Sequence, residues 1–141
     1  MDLLDTFNVS ASGLAAQRTR LQTISSNLAN ANTTRTEEGT PYRRKVPVFE
    51  SESIGGAFGD ALDKELASVR VAGTREDPTP FPVVHDPDHP DADLDGYVQL
   101  PNVDVLSEMV DLMNTSRSYE ANANVVDTTR DMALRALDIG R

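Results

Sequence analysis

Proline is distributed unevenly along this chain of 141 residues, and that distribution limits where long helices can form. All eight prolines lie between Pro41 and Pro101, so the first 40 residues and the last 40 contain none. Proline lacks a backbone donor and clashes with the preceding helical turn, so it is rare inside a helix. The chain is therefore predicted to begin and end with a helix and to carry a non-helical insert between them.

The first segment carries a narrow apolar stripe. Four of its members are spaced seven residues apart, at Phe7, Leu14, Leu21 and Leu28, and the fifth member is Ile24. This heptad spacing is typical of a helix that packs against one partner helix. We expect a helix over residues 3–31 that uses these side chains for packing within the chain or between subunits.

The last segment carries a longer stripe with alternating steps of four and three residues. Its members are Val105, Met109, Leu112, Ser116, Tyr119, Ala123, Val126, Arg130, Ala133 and Leu137. A second row widens the stripe at its start and consists of Leu106, Val110 and Met113. The pattern predicts a helix over residues 103–138, capped by Asn102 or Asp104. The packing residues predicted on it are Met109, Leu112, Tyr119, Val126 and Leu137.

The predicted fold is mainly α with a small β insert. Each apolar stripe is too narrow to make a core alone, so the two terminal helices are expected to pack as an antiparallel coiled coil. They form a discontinuous terminal domain, residues 1–33 and 102–141. Residues 34–101 form a connector and a short, acidic, β-rich middle domain.

The insert is predicted to contain short strands, because its stretches rich in valine and aromatic residues are separated by turn residues. The expected strands are residues 42–49, 69–72, 81–85 and 97–100. A glycine-rich loop is expected at residues 53–59, and one or two helical turns at residues 61–67.

Composition removes several functional classes. The net charge of −10 disfavours nucleic-acid binding, which depends on neutralising phosphates. The absence of cysteine excludes disulfide scaffolds, thiol catalysis and cysteine zinc sites. No apolar run approaches the ~18 residues of a membrane span, and the acidic start lacks the basic region of a cleaved signal peptide. No phosphate loop or nucleophile motif occurs, so we expect no catalytic residue and no cofactor, and the chain is not predicted to be an enzyme.

Two histidines and two aspartates lie close together in the insert, at His85, Asp86, Asp88 and His89. These side chains could ligate a metal, but metal sites normally draw their ligands from more than one element. A solvated acidic loop is therefore the favoured interpretation.

The residues that follow match the opening of an EF-hand calcium loop at Asp91, Asp93, Asp95 and Gly96. The twelfth position, where a bidentate glutamate belongs, is Asn102, and two prolines interrupt the entering helix. The favoured interpretation is a turn in which aspartates bond the nearby backbone and Gly96 has a positive φ. No metal ligand is therefore predicted.

The only dense positive cluster is Arg43, Arg44 and Lys45, after Tyr42. One interpretation is a solvated strand edge, since charged residues protect edges from stray pairing. The other is an inter-subunit charge contact, in which the cluster docks the acidic loop at residues 86–95 of another copy. The sequence leaves both open.

Two polar boxes stand out, one in each terminal segment. The first contains Ser26, Asn27, Leu28, Ala29 and Asn30, and the second contains Ser116, Arg117, Tyr119 and Asn122. They resemble the boxes in the terminal helices of bacterial flagellar rod and hook proteins. The connector at residues 33–45 and the loop at residues 85–93 are similar to those of a short proximal-rod subunit in the flagellar basal-body rod protein family.

The resemblance implies a structural subunit of the flagellar basal-body rod, the drive shaft that transmits motor torque to the hook and filament in motility. It implies polymerisation through the terminal helices, with other rod subunits, copies of the chain and the membrane-ring junction proteins as partners. It also implies export from the cytoplasm through the flagellar type III apparatus, without a cleaved signal peptide, into a rod that crosses the periplasm. The alternatives are a soluble calcium-binding module and a coiled-coil adaptor.

Overall fold

The computed structural model describes residues 3–53 and 67–139, and it contains two long helices with four strands between them. The helices are α1 (Leu3–Ala29) and α2 (Val105–Ile139). The strands are β1 (Lys45–Ser53), β2 (Ala67–Glu76), β3 (Val83–His85) and β4 (Tyr97–Gln99). The predicted fold class, two long helices with a small β insert, is confirmed.

The two helices run antiparallel. The side chains of Asn27 and Glu108 are joined by a hydrogen bond near the end of α1 and the start of α2. Two α1 heptads earlier, Gly13 lies against Asn122, two α2 heptads later. Later residues of α1 therefore lie against earlier residues of α2.

Local side-chain bonds set the inner ends of both helices. At the end of α1, the Asn30 side-chain amide donates to the Ser26 carbonyl (2.9 Å), the oxygen that also accepts the last backbone bond from the Asn30 N–H (3.1 Å). Of the two predicted caps of α2, Asp104 has that role, because its Oδ1 accepts from the Leu106 N–H (3.1 Å). Asn102 caps nothing and bonds the connector instead.

Strands β1 and β2 form a two-stranded antiparallel ribbon, which we call the arm. Its register runs from Lys45 opposite Glu76 to Ser53 opposite Ala67, with a bulge between Val48 and Phe49. The arm lies on α1, since the Val69 N–H donates to the Ser12 Oγ (3.1 Å) and the Arg20 guanidinium lies 4.9 Å from the Phe49 ring centre. Strand β2 is longer than the predicted 69–72, whereas β1 begins and ends later than the predicted 42–49. The loop expected at residues 53–59 and the turns expected at residues 61–67 lie outside the described residues, apart from Ser53 and Ala67, which belong to strands.

Strands β3 and β4 form a separate short pair, with Val84 opposite Val98. The turn between them contains the acidic loop, and it is closed by a bond from the Asp86 N–H to the Gly96 carbonyl (2.9 Å). Apolar burial is limited throughout the described part of the chain. The buried apolar side chains there include Ala16, Ile24, Tyr42 and Val98.

Candidate functional site

A buried hydrogen-bond network joins the inner end of α1, the connector and the start of α2. Asn27 is at its centre and is only 1% exposed. Its Nδ2 donates to the Lys45 carbonyl (2.9 Å) and to Glu108 Oε2 (3.1 Å). Its Oδ1 accepts from the Lys45 N–H (2.9 Å) and from the Tyr42 hydroxyl (3.0 Å). All the main hydrogen-bonding capacity of this buried amide is therefore used.

A charged pair completes the network. Glu108 is 1% exposed, and its Oε1 accepts from Arg44 Nε at 2.6 Å. Arg44 also approaches Asp77 (3.3 Å) and Asp111 (4.0 Å). Burial lowers the pKa of Arg44, but hydrogen bonding and charge interaction with Glu108 and Asp77 outweigh it and raise the pKa overall. The guanidinium therefore stays charged opposite a buried carboxylate.

Asn102 extends the network to the segment after the arm. Its Oδ1 accepts from the Arg44 N–H (2.7 Å), and its Nδ2 donates to the Thr79 carbonyl (3.0 Å). We call Asn27, Tyr42, Arg44, Asn102 and Glu108 the polar junction. It holds three separate stretches of the chain together with directional bonds.

The three residues of the predicted basic cluster lie in different environments. Arg44 belongs to the polar junction, so it is engaged within the chain rather than free for another copy. Arg43 Nη1 donates to the Asp77 carbonyl (3.0 Å), and its guanidinium lies 4.3 Å from the Phe81 ring centre. Lys45 contributes its backbone to the junction, while its side chain is exposed. An inter-subunit charge contact stays a prediction, and it now rests mainly on Lys45.

The predicted packing residues lie in different environments. Ile24 is buried between the helices. Those that are half-buried are Phe7, Leu14, Leu21, Leu28, Leu112 and Val126. Those that are exposed are Met109, Tyr119 and Leu137. The exposed three do not pack between the helices of this chain, so for them packing between subunits stays a prediction.

On the face of α2 that meets α1, the most deeply buried residues are small or polar. Glu108, Thr115 and Thr129 are its buried members, and Asn122 lies between them against Gly13. We call this face the seam. The opposite side of the first turns of α2 carries four large apolar side chains that are 44–72% exposed, and we call it the outer patch: Leu106, Met109, Val110 and Met113.

The residues of the two polar boxes are split between structural and exposed positions. Ser26 Oγ lies 3.3 Å from the Tyr42 hydroxyl, next to Asn27 in the junction. Leu28, Asn30, Ser116 and Asn122 are half-buried, whereas the exposed members are Ala29, Arg117 and Tyr119. The first box therefore supports the junction, and part of the second faces outward.

The aspartate-rich loop forms a turn of the predicted kind. Asp93 Oδ1 accepts from the Asp95 N–H (3.0 Å) and the Tyr97 N–H (2.8 Å), and Gly96 has a φ of 79°. Asp91 Oδ2 accepts from Thr34 Oγ1 (2.6 Å), and His89 Nδ1 accepts from the Asp91 N–H. Within residues 3–53 and 67–139, no group of three potential metal ligands comes together.

None of the helices in the described ranges is long and apolar enough to cross a membrane.

Sequence reasoning missed Glu108, the most deeply buried charge of the site. A signal was present, because Glu108, Thr115, Asn122 and Thr129 are spaced seven residues apart beside the apolar stripe. A heptad of polar residues was not considered as the packed face, since apolar residues normally occupy such positions.

Comparison with known proteins identifies one family at both ends of the chain and along its length. Residues 7–35 match the family described as flagella basal body rod protein, and residues 94–139 match the one described as flagellar basal body rod FlgEFG protein C-terminal. The flagellar basal-body rod protein FlgC of Bacillus subtilis is 44% identical, with 100% of both chains covered. FlgC of Borreliella burgdorferi is 42% identical over 99% of this chain and 98% of that one, and FlgC of Salmonella typhimurium is 42% identical over 100% of both. At this identity over its full length, the chain belongs to the flagellar basal-body rod protein FlgC family.

Proposed function

We propose that the chain is a structural subunit of the bacterial flagellar basal-body rod that polymerises through its terminal helices. The assembled shaft transmits motor torque to the hook and filament. The observation that carries the proposal is the outer patch, found in a chain that is similar to rod proteins over its whole length. Contiguous large apolar side chains on the surface mark a site of protein–protein contact.

The two helices differ in what they offer a neighbouring subunit. The large apolar side chains of α1 from Phe7 to Leu28 are buried or half-buried. On α2, those of the outer patch point away from α1. Burial of the outer patch would therefore stabilise an assembly, at ~25 cal/mol per Å² of apolar area removed from water.

The test is a charge placed in the outer patch. Met109→Asp should leave the purified chain folded, because the side chain is half exposed, yet it should prevent rod assembly and motility in a strain that lacks its own subunit. Leu94→Asp is the matched control, since it makes the same kind of change at a fully exposed leucine in the acidic loop, and it should remain motile. Normal motility with Met109→Asp at normal abundance would overturn the proposal.

We also propose the finer aspects of this function. The partners are other rod subunits, copies of this chain and the membrane-ring junction proteins, and export uses the flagellar type III apparatus without a cleaved signal peptide. The family assignment supports these partners and this route. In a strain blocked in rod assembly, the chain should leave the cytoplasm only when the export apparatus is intact, and its mass should show an uncleaved N-terminus. Export that persists without the apparatus would refute this part.

A further inference from the structure

The seam repeats itself along α2. Two of its residues, Thr115 and Thr129, turn their hydroxyls onto their own helix, to the carbonyls of Asp111 (2.6 Å) and Val125 (2.8 Å). Because these hydroxyl protons are used within α2, the two threonines, fourteen residues apart, offer α1 similar small surfaces. Gly13 and Ala16 of α1 are equally small.

A repeating seam of small groups does not define one alignment of the two helices. A slip of one heptad would move α2 by roughly 10 Å along α1 and set Thr115 or Thr129 against Gly13 in place of Asn122. In coiled coils, the alignment is then set by a buried polar group that finds its partner in only one register. In this pair of helices, the polar junction contains such buried polar groups, Asn27 and Glu108.

We propose that Asn27, Arg44 and Glu108 determine the register of the helix pair. Glu108 is 1% exposed and has donors at 3.1 Å on α1 and 2.6 Å on the connector, so only one alignment satisfies its carboxylate. A slipped alignment separates a buried charge from both donors, which is strongly unfavourable. Since Arg44 directly precedes β1, the same bonds place the arm on the aligned helices. This inference does not depend on the proposed function.

The absence of native cysteine allows the register to be read by disulfide trapping. The aligned pair is Gly13→Cys with Asn122→Cys, because a Cβ at residue 13 would lie 3.8 Å from the Asn122 Cγ. The slipped pairs combine Gly13→Cys with Thr115→Cys or with Thr129→Cys. Their Cα atoms are offset by about 10 Å along the helix, beyond the ~7 Å limit of a disulfide. In the otherwise unchanged full-length chain, mild oxidation should give the aligned disulfide almost exclusively.

The junction is then replaced as a unit by Arg44→Met with Glu108→Leu, which leaves no unpaired charge of the pair behind. We expect the ratio of aligned to slipped disulfide to fall by at least ~10-fold, which corresponds to about 1.4 kcal/mol of lost preference. The matched control is Arg70→Met with Glu50→Leu, an exposed ion pair of 2.8 Å on the arm, and it should leave the ratio unchanged. All oxidations are carried out where circular dichroism shows intact helices, because an unfolded chain would form all three disulfides and lower the ratio without a change of register.

Two results would overturn the proposal: an unchanged ratio in the junction variant, or equal aligned and slipped yields in the chain with its native junction. Circular dichroism shows whether the junction variant keeps its helices. If the junction variant loses its helices, the disulfide ratio is measured in Glu108→Gln instead. This substitution keeps the shape of the side chain and one carbonyl acceptor but removes the charge. A lower ratio with Glu108→Gln supports the proposal, and an unchanged ratio refutes it.

Discussion

The inner face of α2, which meets α1, carries buried polar residues, and its outer face carries exposed apolar residues. This is the reverse of an ordinary amphipathic helix. On the inner face, Glu108 and Thr115 are buried although they are polar. On the outer face, Leu106 and Met113 are exposed although they are apolar. The difference teaches that packing against α1 uses directional bonds of α2, while the exposed apolar side chains of α2 are those that the proposed assembly would bury. Such a division suits a subunit whose core is completed on assembly.

The largest effect is expected on the inner face, where a buried carboxylate is removed. Glu108→Ala leaves the Arg44 Nε and one Asn27 donor without their acceptor, and should lower the free energy of unfolding by about 3 kcal/mol. Urea denaturation of the purified chain measures this loss. Glu50→Ala, which breaks the exposed pair with Arg70, should cost no more than ~0.5 kcal/mol. Equal losses in the two variants would remove the contrast between buried and exposed charges.

The second prediction asks whether the seam has room for the apolar residues that its heptad spacing would normally carry. Thr115 is 3% exposed and faces α1, so Thr115→Leu should overpack the seam and lower the free energy of unfolding by about 2 kcal/mol. The neighbouring exposed change Asn114→Leu should stay within ~0.5 kcal/mol of the parent chain. A Thr115→Leu variant that is more stable than the parent would show that the seam is loosely packed and would weaken the comparison.

Much of the fold could be predicted from local rules. The distribution of proline predicted the positions of both helices, and the stretches rich in valine and aromatic residues predicted all four strands. Both preferences act within a few residues of the chain. The aspartate turn was predictable for the same reason, since Asp93 and Gly96 form it with their own neighbours. The extent of β2 and of the end of β1 was underestimated, because the arm is extended by cross-strand pairing and by contact with α1, which are not local. The predicted strands at residues 81–85 and 97–100 were slightly too long.

The site was less predictable than the fold. An apolar stripe indicates which side chains need burial, but it does not say whether the partner helix belongs to the same chain. Met109 fits the periodicity of the apolar stripe on α2 but is 50% exposed, whereas Glu108, one residue earlier, is buried. The charge of Glu108 is stabilised by Asn27 and Arg44, which lie 81 and 64 residues away in the sequence. No spacing rule relates residues so far apart.

A smaller effect tests the close approach of the helices at the far end of the seam. Gly13→Ala should raise the free energy of unfolding by about 0.5 kcal/mol, because glycine costs that much inside a helix. The added Cβ would lie 3.1 Å from the Asn122 Nδ2, the end of a flexible side chain that can move. Gly39→Ala is the contrasting change and should be destabilising, since Gly39 has a φ of 79°. A clear loss of stability with Gly13→Ala would show that the seam is rigid at this end.

The smallest effect concerns Asp104, the exposed cap at the start of α2 beside the outer patch. Hydrogen bonds from the Ser107 hydroxyl and then from the Leu106 N–H lower the pKa of Asp104 below its usual value. A carboxylate with a lowered folded-state pKa stabilises the fold above its unfolded pKa of about 3.9, and that contribution is lost as the pH falls through the folded value. Asp104→Asn keeps an acceptor oxygen but does not titrate, so the advantage of the parent over this variant should be constant near neutral pH and disappear in acid.

Melting temperatures measured from neutral pH into the acid range, for the parent and each variant, test this dependence. The pKa of Asp77 is also lowered, first by its hydrogen bond with Thr79, so all chains should lose some stability in acid and only the differences between them report on Asp104. Ser107→Ala removes the bond that lowers the Asp104 pKa most, so its acid loss should be smaller than that of the parent and should be complete at a higher pH. If the parent, Asp104→Asn and Ser107→Ala showed one common pH dependence, the cap would not contribute through its charge. Asp104 would then support the start of α2 only as an uncharged hydrogen-bond acceptor for the Leu106 N–H.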